Sequence, residues 1–204
     1  MILKVQARFF NDGLILDSTI NYNLFKLINE KLDKMYGENP DPEIEKRVRD
    51  EWVWIQQTET YFTLLLLCDL TENLDDFDIP YSIRCSGNAS FIFYLLGITI
   101  INPLPPHYHC PLCHSVIWDY NAKCGIDLEK EKRCEEDGTI MRADGFNIPW
   151  QAHLLHKQSH YFYLSLPPNM YEETLDGLQE MGINNVNTHL HSATNKYRII
   201  ETNN

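Results

Sequence analysis

Cys110-Pro-Leu-Cys113 places two thiols three residues apart, the spacing at which one tight turn directs both thiolates to a single tetrahedral ion. A four-ligand site needs a second pair. Residues 134–138, Cys-Glu-Glu-Asp-Gly, supply Cys134 and, where a second CxxC would have its later thiol, Asp137. A carboxylate can ligate zinc through oxygen, although oxygen is a harder donor than sulfur. Cys124 and His114 are competing candidates for the fourth position. The expected set is therefore Cys110, Cys113, Cys134 and Asp137, with Cys124 or His114 as alternative fourth ligands. With four protein ligands no coordination position stays open, so the zinc would be structural, not catalytic. The competing reading is a decayed knuckle packed as a metal-free loop.

Other reactive side chains carry less. His189 and His191 alternate on a predicted strand and so share a face, with His153, His156 and His160 nearby in sequence. Two imidazoles on one face suit a metal, but these read better as surface or half-buried histidines. Cys85, ahead of an apolar helix, would have a lowered pKa if the helix N-terminus reached it; a plain capping turn is the simpler reading. Tyr161, Phe162 and Tyr163 could stack on bases, yet an aromatic strand of this kind reads as core.

The elements that must carry these residues alternate between helix and strand. Val5, Ala7 and Phe9, then Leu14 to Leu16 beyond Asn11-Asp12-Gly13, predict a β-hairpin. Leu24, Ile28, Leu32 and Met35 recur at helical spacing, and Tyr36-Gly37 closes that helix. Asp41-Pro42 supplies an N-cap and a first-turn proline for a helix through Ile44, Val48, Trp52 and Ile55. A buried helix is predicted over residues 61–70, an acidic loop over 72–78, and a short strand before the turn at 84–88. An apolar helix follows over 89–96. Prolines 103, 105 and 106 force an extended run over 98–106. Strands are predicted at 161–166, 185–191 and 196–200, with a helix from Asn169 to Gly182.

Composition bounds the function. Of 204 residues, 44% are hydrophobic, enough for a packed core, and 17 Lys+Arg stand against 29 Asp+Glu, a formal charge of −12. Nucleic-acid affinity comes mostly from cations neutralising phosphates, so nucleic acid binding is expected to be weak or absent, apart from any small basic patch. The longest apolar run, YFTLLLLC at residues 61–68, is too short to span a bilayer. MILKVQARFF shows no signal-peptide pattern. Six cysteines in such a chain fit a reducing, cytoplasmic location, where clustered cysteines bind metal more often than they pair.

From residue 24 to residue 151 the chain resembles the alpha subunit of bacterial DNA polymerase III, specifically the PolC-type replicative polymerases. The segment SFIFYLLGITIINPLPPHYHC at 90–110 carries most of the likeness, followed by DGFNIPW at 144–150 and the helices ending at Gly37 and beginning at Pro42. The resemblance implies an α+β fold, a fragment of a polymerase-beta-like nucleotidyltransferase palm with a small zinc-ribbon-like insert. Residues 1–106 and 146–204 would form the palm-like domain and 107–145 the cysteine-rich insert.

The resemblance also implies site residues. The family cradles nucleotide phosphates in a Gly/Ser-rich turn, and here Arg84, Ser86 and Ser90 match it, whereas Cys85, Asn88 and Ala89 do not. The family's catalytic strand begins P-D-I-D; here Tyr163 and Ser165 stand at the two aspartate positions. Neutral hydroxyls cannot hold two Mg²⁺ ions, so no catalytic residue, no bound magnesium and no polymerase activity are expected. The resulting expectation is a stand-alone, catalytically inactive PolC-like module, bacterial and linked to DNA replication, whose partner is a protein of the replication machinery. The alternative is a nucleotide-binding protein, or an enzyme of altered chemistry, that keeps the phosphate turn.

Overall fold

The computed structural model describes residues 2–7, 18–58, 60–85, 89–150, 160–170, 172–174, 176, 186–189 and 199–200. The chain divides into two compact units, one of Met1–Ile15, Phe62–Gly87 and His153–Asn204, the other of Leu16–Tyr61 and Asn88–Ala152. The architecture is α+β, with helices beside two separate antiparallel sheets.

The first unit is built on five strands: β1 (Ile2–Ala7), β2 (Ser82–Cys85), β6 (His160–Ser165), β7 (Val186–His189) and β8 (Ile199–Ile200), in the order β2-β6-β1-β7-β8. Every neighbouring pair is antiparallel. Strand β1 has β6 on one edge and, along Ile2–Val5, β7 on the other. The second strand of the predicted N-terminal hairpin, at residues 14–16, lies outside the described residues. The turn at 11–13 lies outside the described residues.

Alternation divides this sheet into two chemically different faces. Ile83 and Leu164 pair directly and are both buried, Leu164 completely, so their face is the core face. Leu3, Val5, Phe162, Val186 and Ile200 occupy positions on that same face. One residue along, on the opposite face, Ser82 is exposed and its partner Ser165 half-buried.

Helix α3 (Tyr61–Asp76) runs through the stretch expected as an acidic loop. The reason is Leu74, which is buried and continues the stripe of Leu64, Leu67 and Leu70, while Glu72, Asp75 and Asp76 stay exposed.

The second unit holds α1 (Ser18–Tyr36), α2 (Pro42–Thr58), the short α4 (Phe91–Leu95) and a sheet of β3 (His107–His109), β4 (Val116–Trp118) and β5 (Arg142–Asp144), in the order β4-β3-β5. The segment expected as an insert lies in this unit together with the helices. Helix α2 starts as predicted, Asp41 Oδ1 accepting from Glu43 N–H at 2.9 Å. In α1 the buried face runs through Leu24, Ile28 and Leu32 to Tyr36 rather than Met35.

Tyr36 is 1% exposed and anchors a buried polar chain. His107 Nδ1 donates to Pro105 C=O at 2.8 Å, which leaves Nε2 to accept from Tyr36 O–H at 2.9 Å. Asn102 Nδ2 then donates both to Tyr36 Oη, at 3.1 Å, and to Asp144 Oδ2, at 2.9 Å. Tyr94 O–H donates to the same carboxylate oxygen at 2.8 Å. Beside it Gly145 has φ +98°, and a Cβ there would lie 2.3 Å from Pro105 O, so only glycine lets the chain after β5 approach the extended 98–106 run.

Candidate metal centre

Two short turns leave the second sheet and bring four ligand atoms together. In the first, Cys110 N–H donates to Ser115 C=O at 2.9 Å and His114 N–H to Cys110 C=O at 3.1 Å. In the second, Cys134 N–H donates to Thr139 C=O at 2.8 Å and Gly138 N–H to Cys134 C=O at 3.0 Å. The hydrogen-bond pattern is the same, and each turn has its left-handed residue at the equivalent place, His114 (φ 63°) and Gly138 (φ 74°). Superposing the patterns equates Cys110 with Cys134 and Cys113 with Asp137. The sequence departs from CxxC at 137, but the backbone keeps the knuckle.

The ligand atoms of Cys110, Cys113, Cys134 and Asp137 all lie within 4.8 Å of one another. Cys113 Sγ is 3.4 Å from Cys134 Sγ, and Cys110 Sγ is 3.2 Å from Asp137 Oδ2. Ligands about 2.0–2.3 Å from one tetrahedral ion stand roughly 3.3–3.8 Å apart, so this set can hold a metal ion and its donors are compatible with zinc. Cys110 and Cys134 are buried among Tyr108, Leu128 and Met141, which fix the thiols from below.

The surrounding groups favour the charged form at Asp137 and Cys134, whereas at Cys113 the hydrogen bond from Ser115 is outweighed by desolvation and the neighbouring Cys134 and Cys110, which push that thiol up to about 12. Thr139, whose backbone N–H donates to Asp137 Oδ1 at 2.8 Å, holds that carboxyl well below the usual carboxylate range. Ser115 Oγ lies 3.2 Å from Cys113 Sγ and 3.4 Å from Cys134 Sγ, and its hydrogen bond is the first cause lowering the Cys134 thiol. Neither alternative fourth ligand joins the cluster. Cys124 Sγ contacts Asp127 Oδ2 at 3.6 Å, and His114 Nδ1 faces Met35 C=O at 3.3 Å.

The resemblance implies a phosphate site at Arg84, Ser86 and Ser90. Ser86 lies outside the described residues, and Arg84 ends up in β2, one residue before its end. Ser90 is completely buried and works as the N-cap of α4, accepting from Phe93 N–H at 3.2 Å. Its own hydrogen goes to Glu51 Oε2 at 2.6 Å. Glu51, buried in α2 with no exposed surface, also accepts from Phe91 N–H at 2.9 Å and Ile92 N–H at 3.0 Å, and Arg47 Nε donates to its other oxygen. Four donors satisfy one buried carboxylate, and a helix start is tied to a distant helix. Arg47 also donates to Ala89 C=O and stacks over Trp150. Sequence reasoning missed this pair; the signal was a glutamate on the apolar stripe of Val48, Trp52 and Ile55, four residues after an arginine.

Strand β6 carries Tyr163 and Ser165 as predicted, Tyr163 paired to Lys4 and Arg84, Ser165 to Ile2 and Ser82. None of the five strands of that sheet contains an Asp or Glu. By register, position 162 lies on the same face as Leu164, and 161 and 163 on the same face as Ser165. His189 pairs with Ile2 in β7; His153, His156 and His191 lie outside the described residues.

Comparison with known proteins agrees with this geometry. The model of the bacterial DNA polymerase III alpha NTPase domain matches residues 22–160. A DNA polymerase III PolC-type from Caldanaerobacter subterraneus subsp. tengcongensis is 34% identical over 133 residues, 63% of this chain and 9% of that protein. One from Ureaplasma parvum is 36% identical over 126 residues, 59% of this chain and 8% of its own. One from Streptococcus thermophilus reaches 45% over 73 residues, 35% of this chain and 5% of its own. The chain thus spans less than a tenth of these polymerases. With the knuckles, the extended proline run and α4 all inside the matched span, this chain belongs to the bacterial DNA polymerase III alpha family, as a relative of a PolC-type segment.

Proposed function

We propose that this chain is a non-catalytic relative of the PolC palm segment that serves DNA replication as a protein-binding or regulatory module. The observation that carries the reading is the five-stranded sheet without a single carboxylate, with Tyr163 and Ser165 where two metal-holding aspartates would be needed. The direct test is primer extension by the purified protein with Mg²⁺ and all four deoxynucleotides. No extension is expected, and extension would overturn the reading. Capture from a bacterium with a PolC-type polymerase is expected to recover a replication protein; recovery of none counts against the partner.

Zinc at Cys110, Cys113, Cys134 and Asp137 belongs to the same proposal, and so does a place in the bacterial cytoplasm. No helix among the described residues is long and apolar enough to cross a membrane. When bound, zinc would clamp the two knuckles; the residues beneath them pack the thiols and Thr139 orients the carboxylate. Metal analysis of the purified chain is expected to return one zinc per molecule.

The nucleotide-binding alternative would now rest on Arg84 and Ser86, because Ser90 gives its hydrogen to Glu51. Calorimetry with nucleoside triphosphates and Mg²⁺, on the wild type and on Arg84→Ala, separates it from the first reading.

A further inference from the structure

We infer that Asp137 is a detachable arm of the metal centre, and that the position it vacates binds a neutral imidazole from outside the knuckles. The inference rests on the reading of Cys110, Cys113, Cys134 and Asp137 as one metal set, and it adds a ligand site to that set. The four donors are not held alike. Cys110 and Cys134 are 0% and 4% exposed and pack against Tyr108, Leu128 and Met141. Cys113 is half-buried, with Ser115 Oγ 3.2 Å from its sulfur. Of the four only Asp137 is exposed, and its chain neighbours Glu136 and Gly138 are exposed with it. A Cβ added to Gly138 would meet nothing within 4 Å, so the space beside the carboxylate is open. The carboxylate also has somewhere else to rest. Its Oδ1 accepts from Thr139 N–H at 2.8 Å, and the two backbone hydrogen bonds that close the turn make no use of it. Asp137 can therefore leave the metal with its charge in water and its turn intact, which buried Cys110 and Cys134 cannot.

Donor chemistry selects what takes the vacated place. Oxygen is the one hard donor among three sulfurs, so it is the weakest hold on a borderline-soft ion such as zinc. Three thiolates and a carboxylate around a divalent ion already leave a charge of about −2, and exposed Glu135 and Glu136 sit on the same turn. A further thiolate or carboxylate would add to that charge and be repelled. Of the side-chain donors that zinc accepts, imidazole alone is neutral, and with three cysteines it completes an ordinary tetrahedral set. The described histidines of the same unit are committed elsewhere. His107 is bonded to Pro105 C=O and Tyr36 O–H. His109 is buried against Tyr36, and His114 Nδ1 faces Met35 C=O at 3.3 Å. The imidazole is therefore a histidine side chain or a free small molecule that approaches from the exposed side of the turn.

The experiment loads the full chain with Co²⁺, whose visible bands report the donor set, and titrates it with imidazole at constant pH, with acetate as the control. Imidazole is expected to shift the bands while the cobalt stays with the chain in gel filtration, and acetate to leave them unchanged. Asp137→Asn keeps an acceptor for Thr139 N–H but removes the charged ligand. A tethered competitor is thereby lost, so imidazole is expected to bind at least about tenfold tighter than to wild type. Asp137→Cys closes the position with a fourth sulfur and is expected to weaken imidazole at least about tenfold. A blocked peptide with a single histidine separates the two sources. Bands shifted by the peptide as well as by imidazole assign the site to a protein histidine, and bands shifted by imidazole alone assign it to a small molecule; each carries the proposal. Thiolate bands that imidazole leaves unmoved, cobalt stripped from the chain, an equal response to acetate, or one imidazole affinity across wild type, Asp137→Asn and Asp137→Cys would overturn it. Absence of any thiolate-to-cobalt band would instead remove the metal reading itself, and this inference with it.

Discussion

The second knuckle and strand β6 differ in the charge they can offer a metal ion. In the second knuckle Asp137 stands at the place equivalent to Cys113, and the turn around it has the same hydrogen bonds as the first. A negatively charged donor replaces a negatively charged donor, and its oxygen still meets the three sulfurs. In strand β6 Tyr163 and Ser165 bring no charge, and no neighbouring strand position supplies one. A ligand cluster closed by short local turns can accept a changed donor, because the backbone alone aims it. A dimetal site on an open sheet face depends on charge, and without charge nothing there attracts a cation.

The contrast is broken most directly by removing metal. Structural zinc sites contribute about 10–16 kcal/mol to the fold they close, so chelation is expected to unfold residues 107–145, read as lost protection in hydrogen exchange. Cys134→Ser is expected to lower metal affinity at least about 100-fold, and Asp137→Cys to raise it, both by competition with a chromophoric chelator. If Asp137→Ala binds zinc as tightly as wild type, the aspartate is not a ligand and the two regions are alike in having lost theirs.

Next in size is the buried pair beneath α4. Glu51→Ala leaves Arg47 and two amides without their acceptor, and an uncompensated buried charge costs about 3–5 kcal/mol. The urea midpoint of unfolding is expected to fall accordingly. An unchanged midpoint would mean that Arg47 and the α4 amides find solvent at no cost.

Much of this was legible in sequence. Helical spacing located α1 and α2, Asp41 marked a cap that the structure uses, and CxxC with the residues at 134–138 named four residues that the structure brings together. The failures have a common physical cause. The edges of β1 are filled by strands more than 150 residues away, and no local pattern encodes that pairing. Glu51 meets the first amides of α4 across a separation of 40 residues, which the helical spacing of α2 does not encode.

Tyr36 offers a third test, of about 1–3 kcal/mol. Tyr36→Phe removes the donor to His107 and the acceptor of Asn102, both buried. Burial, above all, raises the Tyr36 pKa far above 10. The phenol is therefore kept neutral in the fold, and its contribution is present below about pH 10 and lost as pH rises, because the unfolded chain ionises there first. Alkaline unfolding followed by tyrosine absorbance is expected to be less steep in Tyr36→Phe than in wild type.

The smallest effects compare two serines that sequence selected for opposite reasons. The resemblance implies a phosphate turn at Ser90 and an aspartate position at Ser165. In the structure Ser90 has no exposed surface, caps α4 and donates to Glu51, so Ser90→Ala loses a cap and leaves a buried carboxylate short of a donor, at a cost of about 1–2 kcal/mol. Ser165 is half-buried beside exposed Ser82, and Ser165→Ala is expected to stay within about 0.5 kcal/mol of wild type. Thermal melting of the two variants, each with metal bound, measures the difference. Equal losses would mean that Ser165 is held as tightly as Ser90.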